Sequence, residues 1–409
     1  MRSAAALAAT LAVLLAVLLG ASCDYLEHWR RQNDYERRQR SDPSQQNLKH
    51  MLEQPNFGVI GRTEVAAAAG AAADDAAGAP VAIAAFSSRF RPHELVGVAH
   101  DVGWGSHFGL DLPAGEFDVL ALADRDGDGV YRDDEVIARE RLELSPASFP
   151  SKVVTGFVLD LAAAAERVDW PVAIEVERAE ARTSLFYPTG TIRDLADPIF
   201  DAETVTLGCY DPAAFFERAP TMFYALEDDL AFKIPVVFVH GFGGSAREFA
   251  PLVERLDRDR FKPWFFHYPS GADLDQLATL FYGIFLSGEA VQASAVVPLV
   301  IVAHSMGGLV VRRALGMLRG GAGEQAHVVF CSLATPFGGH PSAAGVGDSS
   351  VLVLPSWRDL DPGSEFLAGL CREPLPPAVE HWLFYAFDND AFLKFGENSD
   401  GVVPLASQL

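Results

Sequence analysis

Ser305 lies in A-H-S-M-G-G, residues 303–308, between an unbroken apolar run, Pro298 to Val302, and a stretch with apolar residues at helical spacing, Leu309 to Arg319. A serine at the tip of a strand-to-helix turn takes a strained backbone conformation that thrusts its hydroxyl clear of the sheet. Residues two before and two after it must be small, and Ala303 and Gly307 are. The first amides of the following helix carry partial positive charge, so the Met306 amide suits an oxyanion. The expected chemistry is attack by Ser305 on a carbonyl carbon.

A second apolar run, Pro235 to Val239, leads into H-G-F-G-G, residues 240–244. Glycines let backbone approach a substrate closely, which makes the Phe242 amide the expected second oxyanion donor. His240 is expected to brace this loop rather than titrate.

Both loops need the same scaffold: short buried strands that alternate with helices and carry the chemistry at their ends. The chain has 409 residues and is 49% hydrophobic, enough for two globular domains with their own cores. Residues 186–409 read as strands alternating with helices, and residues 56–185 read differently. There, seven short runs separated by turn residues predict an all-β sandwich: Phe57 to Val65, Val81 to Phe86, Leu95 to Ala99, Phe117 to Ala123, Val136 to Leu144, Gly156 to Leu161 and Val172 to Val176. Leu110 to Ala121 resembles, weakly, the accessory β-sandwich modules of secreted enzymes. The alanine- and glycine-rich run Ala66 to Ala79 reads as a flexible loop.

Four segments in order, K-I-P-V-V-F-V-H-G-F-G-G (233–244), Y-P-S-G (268–271), A-H-S-M-G-G (303–308) and S-L-A-T-P-F-G-G-H (332–340), resemble the lipase and esterase branch of the α/β-hydrolase superfamily. The resemblance runs from about Gly190 to the end. It implies an α/β fold, a mostly parallel sheet flanked by helices, and hydrolysis of carboxylic esters, lipids above all, through an acyl-enzyme on Ser305. It also implies that N-S-D-G-V-V-P, residues 398–404, carries the triad carboxylate on Asp400, with Asp388 and Asp390 as fallbacks. No cofactor is expected for catalysis. Nearly fifty residues, about 335–381, form an insertion expected to act as a cap, and its Trp357, Leu360, Phe366, Leu367 and Leu370 either wall an acyl pocket or pack the insertion onto the core.

The sequence departs from that pattern in one respect. The family places its histidine after the acid, and none of the eleven histidines follows Asp400. His240 and His304 belong to the two loops, His381 begins a strand, and His267 and His340 follow strands outside the family's base position. The expectation is a chain truncated before its general base, its serine a poor nucleophile near neutral pH. A non-catalytic lipid- or partner-binding protein on the same fold is the alternative; an amidase or thioesterase is the rival among enzymes.

Asp124, Asp126 and Asp128, followed by Gly129 and then Glu135, match the calcium-loop formula D-x-D-x-D-G-x5-E. Carboxylates at alternate positions wrap a hard cation, the Val130 carbonyl adds a ligand and Glu135 closes the site. The flanks read as strands, so a structural calcium in a β-domain is expected rather than a helix-loop-helix; a solvated acidic turn is the plain alternative.

Residues 1–22 carry one charge, Arg2, and an apolar stretch, Ala4 to Leu19, then Gly20-Ala21-Ser22 before Cys23. This reads as a secretory signal, with lipidation of Cys23 expected although Gly20 replaces the larger residue such a cleavage site prefers; a spanning helix is less favoured. Residues 23–55 are a charged tether. The expected location is the bacterial cell envelope, exported and lipid-anchored to the membrane. Thirty-two basic against fifty-five acidic residues give a net charge of -23, which argues against nucleic-acid partners. Membrane contact is therefore assigned to the N-terminal anchor. Four cysteines are too few for a disulfide scaffold, though export permits a Cys209–Cys371 bridge.

Overall fold

The computed structural model describes residues 56–64, 79–88, 93–161, 168–175, 191–210, 212–219, 221–228, 232–288, 297–318, 327–345, 354–370, 372, 374–388 and 398–409. The leader 1–22, the tether 23–55 with Cys23, nearly all of the alanine run, Cys371 and Asp390 lie outside them. Among the described residues no helix is long and apolar enough to cross a membrane.

Strands β1 (Asn56–Glu64), β2 (Val81–Ser87), β3 (Leu95–Val102), β4 (His107–Pro113), β5 (Gly115–Ala123), β6 (Val130–Arg132), β7 (Val136–Leu144), β8 (Val153–Asp160) and β9 (Ala173–Glu175) fill the first part of the chain. They form a three-stranded sheet, β4-β1-β8, and a four-stranded sheet, β3-β2-β5-β7, while β6 pairs with β9. One apolar cluster draws Phe57 and Val59, Val81 and Ile83, Phe108, Leu110 and Leu112, Val119 and Ile137 from both sheets. A second, with Ala82, Leu120, Tyr131 and Trp170, covers the other face of β2 and β5. Burial on two faces is why V-A-I-A-A-F shows no polar alternation. Strand β4 is not among the seven runs legible in the sequence: Phe108, Leu110 and Leu112 alternate inward, but Gly109 and the closing Pro113 weaken the pattern.

In the second part, β10 (Phe223–Ala225), β11 (Ile234–Val239), β12 (Phe261–Phe266), β13 (Leu299–His304), β14 (Val328–Leu333) and β15 (Val379–Phe384) make one sheet in the order β10-β12-β11-β13-β14-β15. All neighbours from β12 to β15 are parallel, and β10 alone runs antiparallel. Helices α1 (Ala202–Tyr210), α2 (Pro212–Arg218), α3 (Leu274–Phe281), α4 (Met306–Gly316), α5 (Pro355–Asp359), α6 (Glu365–Leu370) and α7 (Leu405–Gln408) accompany it. After β11 the chain goes to β12 on one side, then returns to lay β13 on the other. Ligands of such sheets bind in the crevice at the carboxyl ends where strand order reverses. Here the crevice lies between the ends of β11 and β13.

The three-stranded sheet docks on α3 and the π-turn that follows it. A Cβ on Gly58 would stand 2.8 Å from Leu280, and one on Gly283 would stand 2.9 Å from Ile60, so a glycine on each side permits the contact. Lys152 Nζ reaches Asp273 at 3.2 Å across the same junction. At the far edge, Trp382, Leu383, Phe384, Tyr385 and Phe387 are all exposed. Parallel strands are normally buried on both faces; β15 is not.

Candidate active site

The elbow is built as steric rules require. Ser305 has φ 51° and ψ -127°, a region that side-chain-bearing residues enter only under constraint. A Cβ on Gly307 would stand 2.4 Å from the His240 carbonyl oxygen and 2.6 Å from that of Val239, so only glycine lets α4 back onto the end of β11. Gly308 is pinned likewise against Thr335, from the loop after β14. Gly307→Ala is therefore expected to push the 240–244 loop away from the serine. The cost should be about 1–3 kcal/mol of stability and about a hundredfold in reaction of Ser305 with an active-site probe; denaturant melts and labelling rates measure the two losses.

That loop lies directly over Ser305. A Cβ on Gly241 would stand 3.0 Å from Ser305 Cβ and 3.5 Å from its Oγ. Gly243 turns with φ 65°, its amide donating to Ser270 Oγ at 3.0 Å, and the Gly244 amide donates to the Gly241 carbonyl at 3.2 Å. Among the described residues the amides of Phe242 and Met306 donate to nothing, and the Ser305 hydroxyl has no hydrogen-bond partner. Two unpaired donors and an unpaired hydroxyl on these loops are the groups that could receive the oxygen of a carbonyl and attack its carbon.

His240 braces the loop. Its Nδ1 donates to the Gly241 carbonyl at 2.8 Å, its ring stacks on Tyr268, and Tyr268 Oη donates to the His240 carbonyl at 2.6 Å. Burial holds its basicity below that of an ordinary histidine, and that of His267 lower still. His267 Nε2 donates to the Ile199 carbonyl at 2.8 Å, His340 Nε2 to the Val402 carbonyl at 2.7 Å, and His381 Nε2 meets Ser332 Oγ at 2.8 Å. Each is spoken for away from the serine.

Asp400 sits in a turn closed by its own Oδ1, which accepts from the amides of Val402 at 2.8 Å and Val403 at 2.6 Å. The hydrogen bond to Glu248 raises the pKa of His304, and the charge of Asp400 adds to that rise. Residues 398–404 are held to the end of β15 by the Asp388–Ser399 bridge, while Ser407 on α7 binds Gly338 and Gly339. Asp388 is exposed and takes part in that bridge through its backbone.

The insertion packs onto the core, and Trp357 also reaches the 240–244 loop. Leu360, Phe366 and Leu370 are buried in the main core with Leu367 packed against it. The Trp357 ring stands 5.9 Å from that of Phe242, and both pack against Cys209, Tyr210 and Leu354 beside the loop. Cys209 is buried, its Sγ 3.4 Å from Ser270 Oγ, and Cys371, its permitted partner, lies outside the described residues.

In the acidic loop, carboxylate oxygens of Asp124, Asp126 and Asp128 lie within 4.8 Å of one another. Glu135 stands apart from that group: its Oε1 accepts from the Arg125 amide and its Oε2 from the Arg132 amide, at 2.8 and 3.0 Å. The Arg132 guanidinium meets Asp128 Oδ2 at 2.6 Å, Asp126 Oδ2 at 3.7 Å and the Val130 carbonyl at 3.2 Å. It reaches three oxygens of the kind a hard cation takes, and holds Asp128 below the usual carboxylate range. The donor chemistry fits calcium, with an arginine in competition.

No family model matches the sequence, and no curated protein sequence matches it. Solved structures similar to the chain include the mature lipase BlEst2 of Bacillus licheniformis, at 17% identity and TM-score 0.36 over 46% of this chain and 84% of that one. They also include the metagenomic carboxyl esterase MGS0156, at 17% identity and TM-score 0.27 over 49% and 69%, and lipase B of Aspergillus fumigatus, at 18% and 0.28 over 38% of each. The chain thus spans most of one lipase and little over a third of another. These neighbours are lipases and esterases at low identity.

Proposed function

We propose that the chain carries a serine hydrolase of the α/β-hydrolase kind that cleaves carboxylic esters, lipid esters foremost, on Ser305. The observation that supports it best is the strained Ser305 beneath a glycine loop, with the Phe242 and Met306 amides unpaired beside it. Ser305 attacks the ester carbonyl and gives its proton to solvent; the two amides hold the oxyanion until the alcohol leaves, protonated by solvent; water then attacks the acyl-enzyme, releasing the acid and restoring the serine. Asp400 is assigned to orient the base. Among the described residues no imidazole meets the Ser305 hydroxyl, so the chain by itself should react slowly, with only the catalysis that oxyanion donors and binding supply. A fluorophosphonate probe should label Ser305, and added imidazole, a general base in solution, should accelerate labelling at least tenfold. Absence of labelling with and without imidazole would favour a non-catalytic binding protein on this scaffold.

The sandwich sheets are assigned to an accessory module, and the N-terminal segment to export and to a lipid anchor on Cys23. The acidic loop is assigned a structural calcium held by Asp124, Asp126, Asp128 and the Val130 carbonyl, remote from the chemistry. Calcium should raise the melting temperature, and more so in Arg132→Ala, where the competing cation is gone. Asp126→Ala with Asp128→Ala should abolish the response; melts in calcium and in chelator that coincide in all three proteins would remove calcium from the account.

A further inference from the structure

We propose that Glu248 and His304 form a positioning clamp that ties the oxyanion loop to the nucleophile elbow and sets the separation of the Phe242 and Met306 amides. The inference rests on the hydrolase reading and deepens it.

Glu248 lies in the 3-10 turn Ala246–Phe249 that ends the loop, and His304 is the last residue of β13, immediately before Ser305. His304 Nδ1 and Glu248 Oε1 are 3.1 Å apart. The other carboxylate oxygen presses on the loop itself, since a Cβ on Gly244 would stand 2.3 Å from Glu248 Oε2. One side chain therefore touches the loop at Gly244 and the elbow at His304. The turn that carries Glu248 is anchored independently: Ser245 Oγ donates to the Phe200 carbonyl at 2.9 Å, and the Arg247 guanidinium donates to the carbonyls of Leu195, Ala196 and Asp197. His240, Tyr268 and Ser270 also hold the 240–244 loop, and the Glu248 contact is the one that joins it to His304 beside Ser305. Oxyanion donors act only within a few tenths of an ångström of their proper place, so such a contact has catalytic consequences.

The pair also sets local charge. The groups whose charge is felt here are Glu248, Asp400, His240 and Tyr268. His240 is held neutral by burial, and burial pushes the Tyr268 hydroxyl up, leaving two carboxylates facing His304. The hydrogen bond to Glu248 raises the basicity of His304, burial opposes it, and Asp400 adds to the rise. Protonated, His304 cancels the carboxylate beside the oxyanion hole; once it loses its proton, a net negative charge faces the developing oxyanion. Both effects should slow the reaction as pH rises through the His304 titration.

The test uses the full chain with imidazole at fixed concentration, and compares fluorophosphonate labelling of wild type, Glu248→Ala and Glu248→Gln from pH 5.5 to 9, the ratio of rates at each pH cancelling the titration of imidazole. Glu248→Ala should label about 10- to 100-fold more slowly. Glu248→Gln keeps an acceptor for His304 but no carboxylate, so His304 loses its proton at lower pH in the variant and the variant's rate relative to wild type should pass through a minimum between the two His304 midpoints. In histidine-selective NMR the His304 midpoint should fall in Glu248→Gln, a change that loss of packing alone does not give, and circular dichroism identifies any variant that fails to fold. A labelled wild type with a pH-independent Glu248→Gln ratio, or an unmoved His304 midpoint, overturns the clamp alone. A wild type that never labels at Ser305 sinks the hydrolase reading and the clamp with it.

Discussion

Ser305→Ala abolishes fluorophosphonate labelling, with or without imidazole, and leaves the melting behaviour of the protein nearly unchanged. The first half follows from the geometry, since Ser305 is the hydroxyl held over unpaired Phe242 and Met306 amides. The second follows from its backbone. Alanine inherits the same φ of 51° and the same strain, and the hydroxyl it loses has no hydrogen-bond partner among the described residues. Ser305→Gly separates the two contributions: glycine adopts such a conformation freely, so this variant, equally unreactive, should be more stable than Ser305→Ala by about 1 kcal/mol. Denaturant titration and probe labelling read stability and reactivity from the same samples. Labelling that persists in Ser305→Ala would mean that a different nucleophile reacts; a Ser305→Gly variant less stable than Ser305→Ala would mean that the turn stores no strain.

Asp359→Asn stabilises the protein above pH 7 and does nothing below about pH 4. Asp359 belongs to the insertion, and its Oδ2 accepts from the Leu274 amide at 2.8 Å at the start of α3. Burial pushes its pKa up to about 7; Asp273 and Asp275 push the same way, against the Leu274 hydrogen bond and Lys152. In the unfolded chain the group titrates near 3.8. Between the two values the unfolded chain has lost its proton and the folded chain keeps it, so stability falls as pH rises from about 4 to about 7 and stays low above. Each pH unit across that interval is worth about 1.4 kcal/mol, which makes the full effect on the order of 2–4 kcal/mol. Asparagine keeps an acceptor for Leu274 and never ionises, so it should recover most of that at pH 8. Urea titrations of both proteins at pH 4.5 and pH 8 decide it: equal differences at the two pH values would show that Asp359 does not titrate as its surroundings imply. The same junction joins the insertion, α3 and, through Lys152, the three-stranded sheet, so its strain would be felt where the two halves of the chain meet.

Much of the scaffold is legible locally because its rules are local. Leu299 to Val302 and Pro235 to Val239 fall in strands β13 and β11, and Leu309 to Gly316 falls in α4, because an apolar run and a helical apolar stripe need no distant partner to be recognised. Strand β4 is not legible in this way, since glycine and proline mask a two-residue alternation whose meaning only the opposing sheet supplies. Likewise, the acidic formula specifies three converging aspartates, yet the placement of Arg132 among them and the withdrawal of Glu135 to backbone amides depend on how β6 leaves the loop.

By itself the sequence determined which residues could do chemistry: a serine between small neighbours and a glycine loop after a strand. Only the tertiary structure decided which of them meet. Strand order places β11 beside β13, so Gly241 covers Ser305 although 64 positions separate them in the numbering. It also brings Glu248 to His304. Periodicity and turn chemistry act over a few residues along the chain, whereas hydrogen bonds, desolvation and steric exclusion act over a few ångströms in space. What lies between those scales is fixed by the crossover that lays β13 on the opposite side of β11 from β12.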